Sequence, residues 1–200
     1  MSMIDRKNAR LALLAALPLT LALGLSGCAN TGGMPGMDHT SDSSSVSPAP
    51  VSAADQMFVT MMIPHHEQAI QMSDVILEKE GVDERVRTLA EEIKAAQGPE
   101  IERMNAWLTE WGVRADGHAG MDHGDGMMSA EDMANLEAAN GADAARLFLE
   151  QMIVHHEGAV EMAQVAVENG EDPDVRALAQ EVIDAQQIEI ATMRDLLTQL

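Results

Sequence analysis

The chain contains two similar copies of one sequence pattern. Residues 58–78 align with residues 148–168 at an offset of 90 (148 − 58), and residues 86–108 align with 175–197 at an offset of 89 (175 − 86). The offset changes at a glycine turn, marked by Gly81 in one copy and Gly170 in the other, where one residue is gained or lost at little cost. The fold must therefore consist of two copies of one supersecondary unit.

Each copy carries two stripes of mostly apolar residues at steps of three and four, which indicates two amphipathic helices. The stripes of the first helices are Phe58, Met62, His65, Ala69, Met72 and Ile76, and Phe148, Met152, His155, Ala159, Met162 and Ala166. Those of the second helices are Val86, Leu89, Ile93, Gln97, Ile101, Met104 and Leu108, and Val175, Leu178, Val182, Gln186, Ile190, Met193 and Leu197. The sequence predicts an all-α fold over residues 53–200, a ferritin-like four-helix bundle of two hairpins related by a pseudo-twofold axis.

Two local features refine this prediction. Within the linker between the hairpins, residues 112–142, a short extra helix is expected over 130–139, because Ser129 is followed by Asp132 three residues later. Pro64 stands in the first helix where Val154 stands in its repeat. Because proline removes a backbone hydrogen bond, we expect a kink beside His65.

The N-terminal residues have the pattern of a bacterial export signal. Basic residues precede an apolar stretch over 11–25, which is followed by Leu25-Ser26-Gly27-Cys28, similar to a lipobox. We predict a lipoprotein signal peptide over 1–28 that ends at a lipidated Cys28, which anchors the chain outside the cytoplasm to the bacterial cell membrane. The alternative is an ordinary secretory signal. Residues 29–52, rich in Ser, Gly and Pro with some Met and His, are predicted to be a flexible tether.

The composition favours cations as ligands. The chain has a net charge of −21, which disfavours nucleic acid, and leaves the lipid as the only expected membrane contact. It has 16 Met and 7 His but a single Cys, which excludes a disulfide framework, a thiolate zinc site and a Cys-ligated copper site.

Both copies carry the motif Met-Ile-x-His-His-Glu-x-Ala-x-x-Met. Helical spacing places the first histidine and both methionines on one face, so two imidazoles and up to four thioethers are expected to converge in the core. This ligand set suits Cu(I), with Ag(I) as its mimic. The candidate ligands are Met62, His65, His66, Met72, Met152, His155, His156 and Met162. The alternative is that methionines fill the core and that the histidines bond to polar neighbours, namely Gln97, Glu100, Gln186 and Glu189.

The linker contains a second group of soft ligands among glycine and aspartate residues. These candidates are His118, Met121, His123, Met127 and Met128. We predict that they form an accessory capture site, the alternative being a spacer that is rich in methionine by chance.

Common catalytic motifs are absent from the sequence, and no enzymatic activity is predicted. A ferritin-type di-iron centre requires Glu-x-x-His, whereas Met or Ile stands three residues before each histidine of the motif. The segment beginning at His66 also lacks the second histidine of a zinc protease helix.

The doubled motif resembles a known family, the ferritin-like proteins catalogued as domain of unknown function 305, which includes a periplasmic copper-binding protein. The resemblance covers about residues 55–200. It is carried by Phe58, Met62-Ile63-Pro64-His65-His66, Ala69 and Met72, and by Phe148, Met152-Ile153-Val154-His155-His156, Ala159 and Met162. It implies an extracytoplasmic bundle that serves copper binding or tolerance.

Three functions are consistent with these features. The first is a lipid-anchored protein that buffers, sequesters or transfers Cu(I) to an unidentified partner protein. The second is a metal-free scaffold or partner-binding module. The third is a copper-dependent oxidoreductase.

Overall fold

The computed structural model describes residues 51–114 and 126–200, and within these ranges the chain forms five helices and no strands. The helices are α1 (Ala53–Leu77), α2 (Glu84–Trp111), α3 (Ala130–Ala138), α4 (Gly141–Asn169) and α5 (Pro173–Gln199). The predicted all-α bundle of two hairpins is confirmed, with α1 and α2 in one hairpin and α4 and α5 in the other. None of the helices in these ranges is long and apolar enough to cross a membrane.

The helices begin where the sequence provides capping groups. The Ser129 side chain accepts from the backbone N–H of Asp132, and the Asp132 carboxylate accepts from that of Ser129. This reciprocal capping box begins α3 at the predicted residue. At α5, the Asp172 side chain accepts two backbone N–H groups and Pro173 occupies the first turn. The α1 helix continues through Pro64 to Leu77.

Helices α1 and α4 pack against each other in antiparallel orientation. At one end, the carboxylate of Asp55 accepts hydrogen bonds of 3.0 Å from the backbone N–H groups of Glu171 and Asp172, in the turn after α4. At the other end, the turn after α1 meets the start of α4, where a Cβ on Gly81 would lie 3.6 Å from the Cα of Gly141. The first halves of the two repeats are thus placed face to face.

The core divides into two hydrophobic clusters, named here after their phenylalanines. The Phe58 cluster contains Phe58, Val59, Met62, Ile63, Met104, Leu108, Ala159, Val160, Ala163, Ala166, Val175, Leu178, Ala179, Val182 and Ile183. The Phe148 cluster contains Ala69, Met72, Ile76, Val86, Leu89, Ala90, Ile93, Met133, Leu136, Ala144, Ala145, Phe148, Leu149, Met152, Ile190, Met193 and Leu196. Helix α3 contributes Met133 and Leu136 to the second cluster only.

Between the clusters, in the middle of each long helix, stand buried polar side chains. This polar layer consists of His65 and His66 on α1, Gln97 on α2, His155 and His156 on α4, and Gln186 on α5. Buried polar groups at matching places in two repeats indicate a shared role beyond packing.

Candidate metal centre

The centre of the polar layer is a pair of histidines in contact. The rings of His65 and His155 have centroids 3.7 Å apart and an interplanar angle of 38°. Both side chains are fully buried. Each occupies the same position of its inward stripe, and the antiparallel packing of α1 on α4 brings the two positions together. The predicted convergence of two imidazoles is therefore present in the structure.

The ring nitrogens of this pair have no hydrogen-bond partners in the described part of the chain. Nδ1 and Nε2 of both His65 and His155 are buried and unpartnered there, as are both side-chain amide atoms of Gln97 and the Oε1 of Gln186. Each unpaired buried polar atom costs about 1–3 kcal/mol. A ligand that accepts the imidazole lone pairs, or ordered water, would offset this cost. The donor set therefore fits a bound metal ion.

Burial keeps both rings neutral. Burial, together with smaller contributions from charge repulsion by His66 and His156, lowers the pKa of His65 to about 3. Burial also lowers the pKa of His155 well below 6.5, with a smaller contribution from repulsion by His65. A neutral imidazole has a free lone pair on one nitrogen, which is the form that binds a metal. The pair is therefore uncharged at neutral pH, which is the protonation state that a metal ligand requires.

The outer histidines of the motif have different partners. His66 Nε2 lies 2.6 Å from Glu100 Oε2, and His156 Nε2 lies 2.6 Å from Glu189 Oε2. The metal-free interpretation of the sequence predicts these glutamates as partners of His65 and His155. The structure corrects that assignment, because the carboxylates bond to the neighbouring histidines instead.

The four motif methionines do not meet at one point, contrary to the expected convergence. Met62 belongs to the Phe58 cluster and Met162 packs at its edge. Met72 and Met152 belong to the Phe148 cluster. The reason is that the repeats are antiparallel, so each methionine one turn before a histidine lies on the opposite side of the polar layer from its counterpart. Two thioethers therefore stand on each side of the layer.

The predicted linker site is only partly described. His118, Met121 and His123 lie outside the described residues. Met127 and Met128 are half-buried. The backbone N–H and C=O of Met128 are hydrogen-bonded to the Gln68 side chain at 2.7 and 2.9 Å, and its side chain packs on the Phe148 cluster. Met128 is therefore already part of the bundle surface.

In the described ranges, no three His, Cys, Asp or Glu side chains are arranged to hold a metal ion. Sequence reasoning missed two further thioethers, Met57 and Met61, because they lie outside the inward stripe; their four-residue spacing was the available signal.

Comparison with known proteins identifies the family of this chain. The chain matches the sequence profile described as "Domain of unknown function (DUF305)" over residues 26–81 and 55–197. The chain belongs to the DUF305 family. The resemblance inferred from the doubled motif is thereby confirmed.

Several solved structures are similar over most of the bundle. A DUF305 protein from Streptomyces coelicolor is 32% identical with a TM-score of 0.67, covering 73% of this chain and 93% of that one. A DUF305 fragment from Deinococcus radiodurans is 33% identical with a TM-score of 0.67, covering 76% and 100%. CopM in its Cu(I)-bound form is 33% identical with a TM-score of 0.60, covering 72% and 96%. CopM has also been solved with Cu(II) and with Ag bound. Comparison with curated proteins gave no match.

Proposed function

We propose that this DUF305 protein binds Cu(I), with Ag(I) as a mimic, at the His65 and His155 pair. The observation that carries the proposal is the contact between two buried rings whose four nitrogens have no partner within residues 51–114 and 126–200. A soft monovalent ion between neutral imidazoles adds a single positive charge to the core, whereas Zn²⁺ or Ca²⁺ would add two. These divalent ions also favour other ligand sets.

The surroundings of the pair support this choice of ion. Met62 and Met152 each precede a histidine of the pair by one helical turn, on opposite sides of the polar layer. Thioethers are soft ligands with no proton to lose, and they suit Cu(I). The similar protein CopM has been solved with copper and with silver, which supports the same ion class here.

We further propose that the protein acts outside the cytoplasm as a lipoprotein anchored through Cys28, where it buffers, sequesters or transfers copper to a partner protein. The lipobox-like sequence and the tether over residues 29–52 support this placement. The net charge of −21 favours accumulation of cations near the protein. Thioether and imidazole ligands also suit this location, because they do not form disulfides in an oxidising environment.

The test is a competition titration of the purified full-length protein with Cu(I) and Ag(I). His65→Leu with His155→Leu removes the pair and is expected to abolish the tightest site. The matched control, His118→Leu with His123→Leu, removes as many imidazoles from the linker and is expected to keep that site. Equal stoichiometry and affinity in the folded His65/His155 variant would contradict the proposal. Absence of binding by the wild-type protein would favour the metal-free scaffold.

A further inference from the structure

A second group of thioethers lies on the surface of the bundle. A cavity of about 150 Å³ is formed between α1 and α4 beside the Phe58 cluster, and three methionines line it, namely Met57, Met61 and Met162. The other lining residues are Ala54, Phe58, Val165 and Ala166. The cavity wall therefore contains no charged side chain. The methionine sulfurs are the only side-chain heteroatoms among its lining residues.

Helix geometry brings these methionines together. Met57 and Met61 are four residues apart on α1, so their side chains occupy the same face in successive turns. Met162 comes from α4, which packs against α1 in antiparallel orientation. Met57 is 58% exposed, and the other two are half-buried. An ion can thus reach the sulfurs from solvent without any opening of the bundle.

The internal repeat shows that packing does not demand methionine at two of these three positions, 57 and 61. With the offset of 90, the counterparts of Met57, Met61 and Met162 are Leu147, Gln151 and Met72. The counterpart region is covered by α3, and Gln151 donates a hydrogen bond of 3.0 Å to the backbone C=O of Asp132 in that helix. Of the two equivalent regions, only the one that α3 does not cover therefore has methionine at all three positions.

We propose that Met57, Met61 and Met162 form a surface site for Cu(I) or Ag(I). Three uncharged thioethers in an apolar wall are a soft ligand set, and no carboxylate lines the cavity to favour Ca²⁺ or Mg²⁺. Met61 precedes His65 by one helical turn, so along α1 the site lies one turn from the polar layer. The inference rests on the proposed function for the identity of the ion, and it adds a second, solvent-accessible site for that ion.

The test follows each methionine separately by NMR of the full-length protein labelled at the methionine methyl carbons, with single Met→Leu variants providing the assignments. Ag(I) is the probe because it is diamagnetic. We expect the methyl resonances of Met57, Met61 and Met162 to shift together during the titration. If these three methyl resonances stay unchanged at saturating Ag(I), the surface site does not exist.

Stoichiometry provides a second measurement. The Met57→Leu, Met61→Leu, Met162→Leu triple variant is expected to bind one Ag(I) fewer at saturation. The control, Met104→Leu, Met133→Leu, Met193→Leu, removes three buried thioethers and is expected to keep the wild-type stoichiometry. Unchanged stoichiometry in the first triple variant overturns the proposal.

The nitrogen resonances of His65 and His155, recorded in the same titration, separate this inference from the proposed function. If the methyl groups respond and the imidazoles do not, the surface site stands and the buried site is wrong. If only the imidazoles respond, the surface site is wrong.

Discussion

His66 Nε2 lies 2.6 Å from the carboxylate of Glu100, and the same distance separates His156 Nε2 from Glu189 in the second repeat. Both histidine side chains are fully buried, whereas the glutamate side chains are 21% and 18% exposed. Each pair therefore links the polar layer to the surface of the bundle. The pairs also leave the neighbouring His65 and His155 as the histidines whose ring nitrogens are both without partners in the described part of the chain.

These pairs are expected to stabilise the fold without binding the metal. Glu100→Gln keeps the shape of the side chain and removes its charge, so it should lower the free energy of unfolding by about 1 kcal/mol, and Glu189→Gln should do the same. Urea unfolding of the metal-free protein measures this effect. Ag(I) stoichiometry should stay unchanged. Unchanged stability combined with at least tenfold weaker Ag(I) binding would instead identify His66 or His156 as a ligand.

The stability of the metal-free protein should depend on pH through the buried pair. The folded-state pKa values of His65, about 3, and of His155 are lower than the unfolded value of 6.5. The unfolded chain therefore binds more protons below pH 6.5, and the free energy of unfolding falls as the pH decreases from 6.5 towards 3. The expected slope is up to about 1.4 kcal/mol per pH unit for each histidine, and the contribution is complete above pH 6.5.

Carboxylates titrate in the same range, so the measurement is a comparison of two proteins. His65→Leu with His155→Leu removes both imidazoles and the unpartnered nitrogens, and it should flatten the pH dependence relative to wild type. It should also raise stability at neutral pH, since replacing unsatisfied buried polar groups with apolar ones of similar size is favourable. Parallel pH profiles for the two proteins would show that the pair is satisfied in solution by groups or water that keep its pKa ordinary.

Most of the fold could be predicted from the sequence because its signals are local and occur twice. The stripes that place His65 and His155 inward are read from a helical period, and the box of Ser129 and Asp132 fixes the start of α3 within one turn. The contact of the two histidines follows from the repeat, because equivalent positions in antiparallel copies meet at the pseudo-twofold axis.

The details of the site could not be predicted, because they depend on the relative direction and axial position of the packed helices. Periodicity places Met62 and Met152 on the inward face, but it does not tell whether they lie on the same side of the histidines. Nor does it tell which histidine a glutamate of the second helix reaches. For the same reason Met57 and Met61 were overlooked, since the significance of their face depends on Met162 from another helix.

The proposed lipid anchor at Cys28 predicts a specific effect of changing that residue. Cys28→Ser removes the only thiol in the chain, so the variant cannot be lipidated at that position. The protein should then leave the membrane fraction or accumulate with its signal peptide attached, while binding the same amount of Ag(I), because the proposed ligands lie far along the chain. Membrane fractionation and intact mass measure this outcome. Unchanged fractionation and mass would support an ordinary signal peptide with an incidental cysteine.

The linker is predicted to hold an accessory capture site formed by His118, Met121, His123 and Met127. The C-terminal end of the linker packs closely on the bundle. A Cβ on Gly126 would lie 2.9 Å from the carbonyl oxygen of Val154, and the backbone of Met128 is hydrogen-bonded to the Gln68 side chain. The segment before it is rich in glycine, and ordering such a segment costs conformational entropy that bound metal can offset.

We therefore expect amide exchange over residues 118–125 to slow when Ag(I) binds, with little change at Met128, which is hydrogen-bonded already. Because the ordering cost weakens the linker site relative to the buried pair, it should release Ag(I) first when a competing chelator is added. Deletion of residues 118–125 should lower the stoichiometry and leave the tightest site intact. Unchanged exchange together with unchanged stoichiometry would show that this segment is a spacer between the two hairpins.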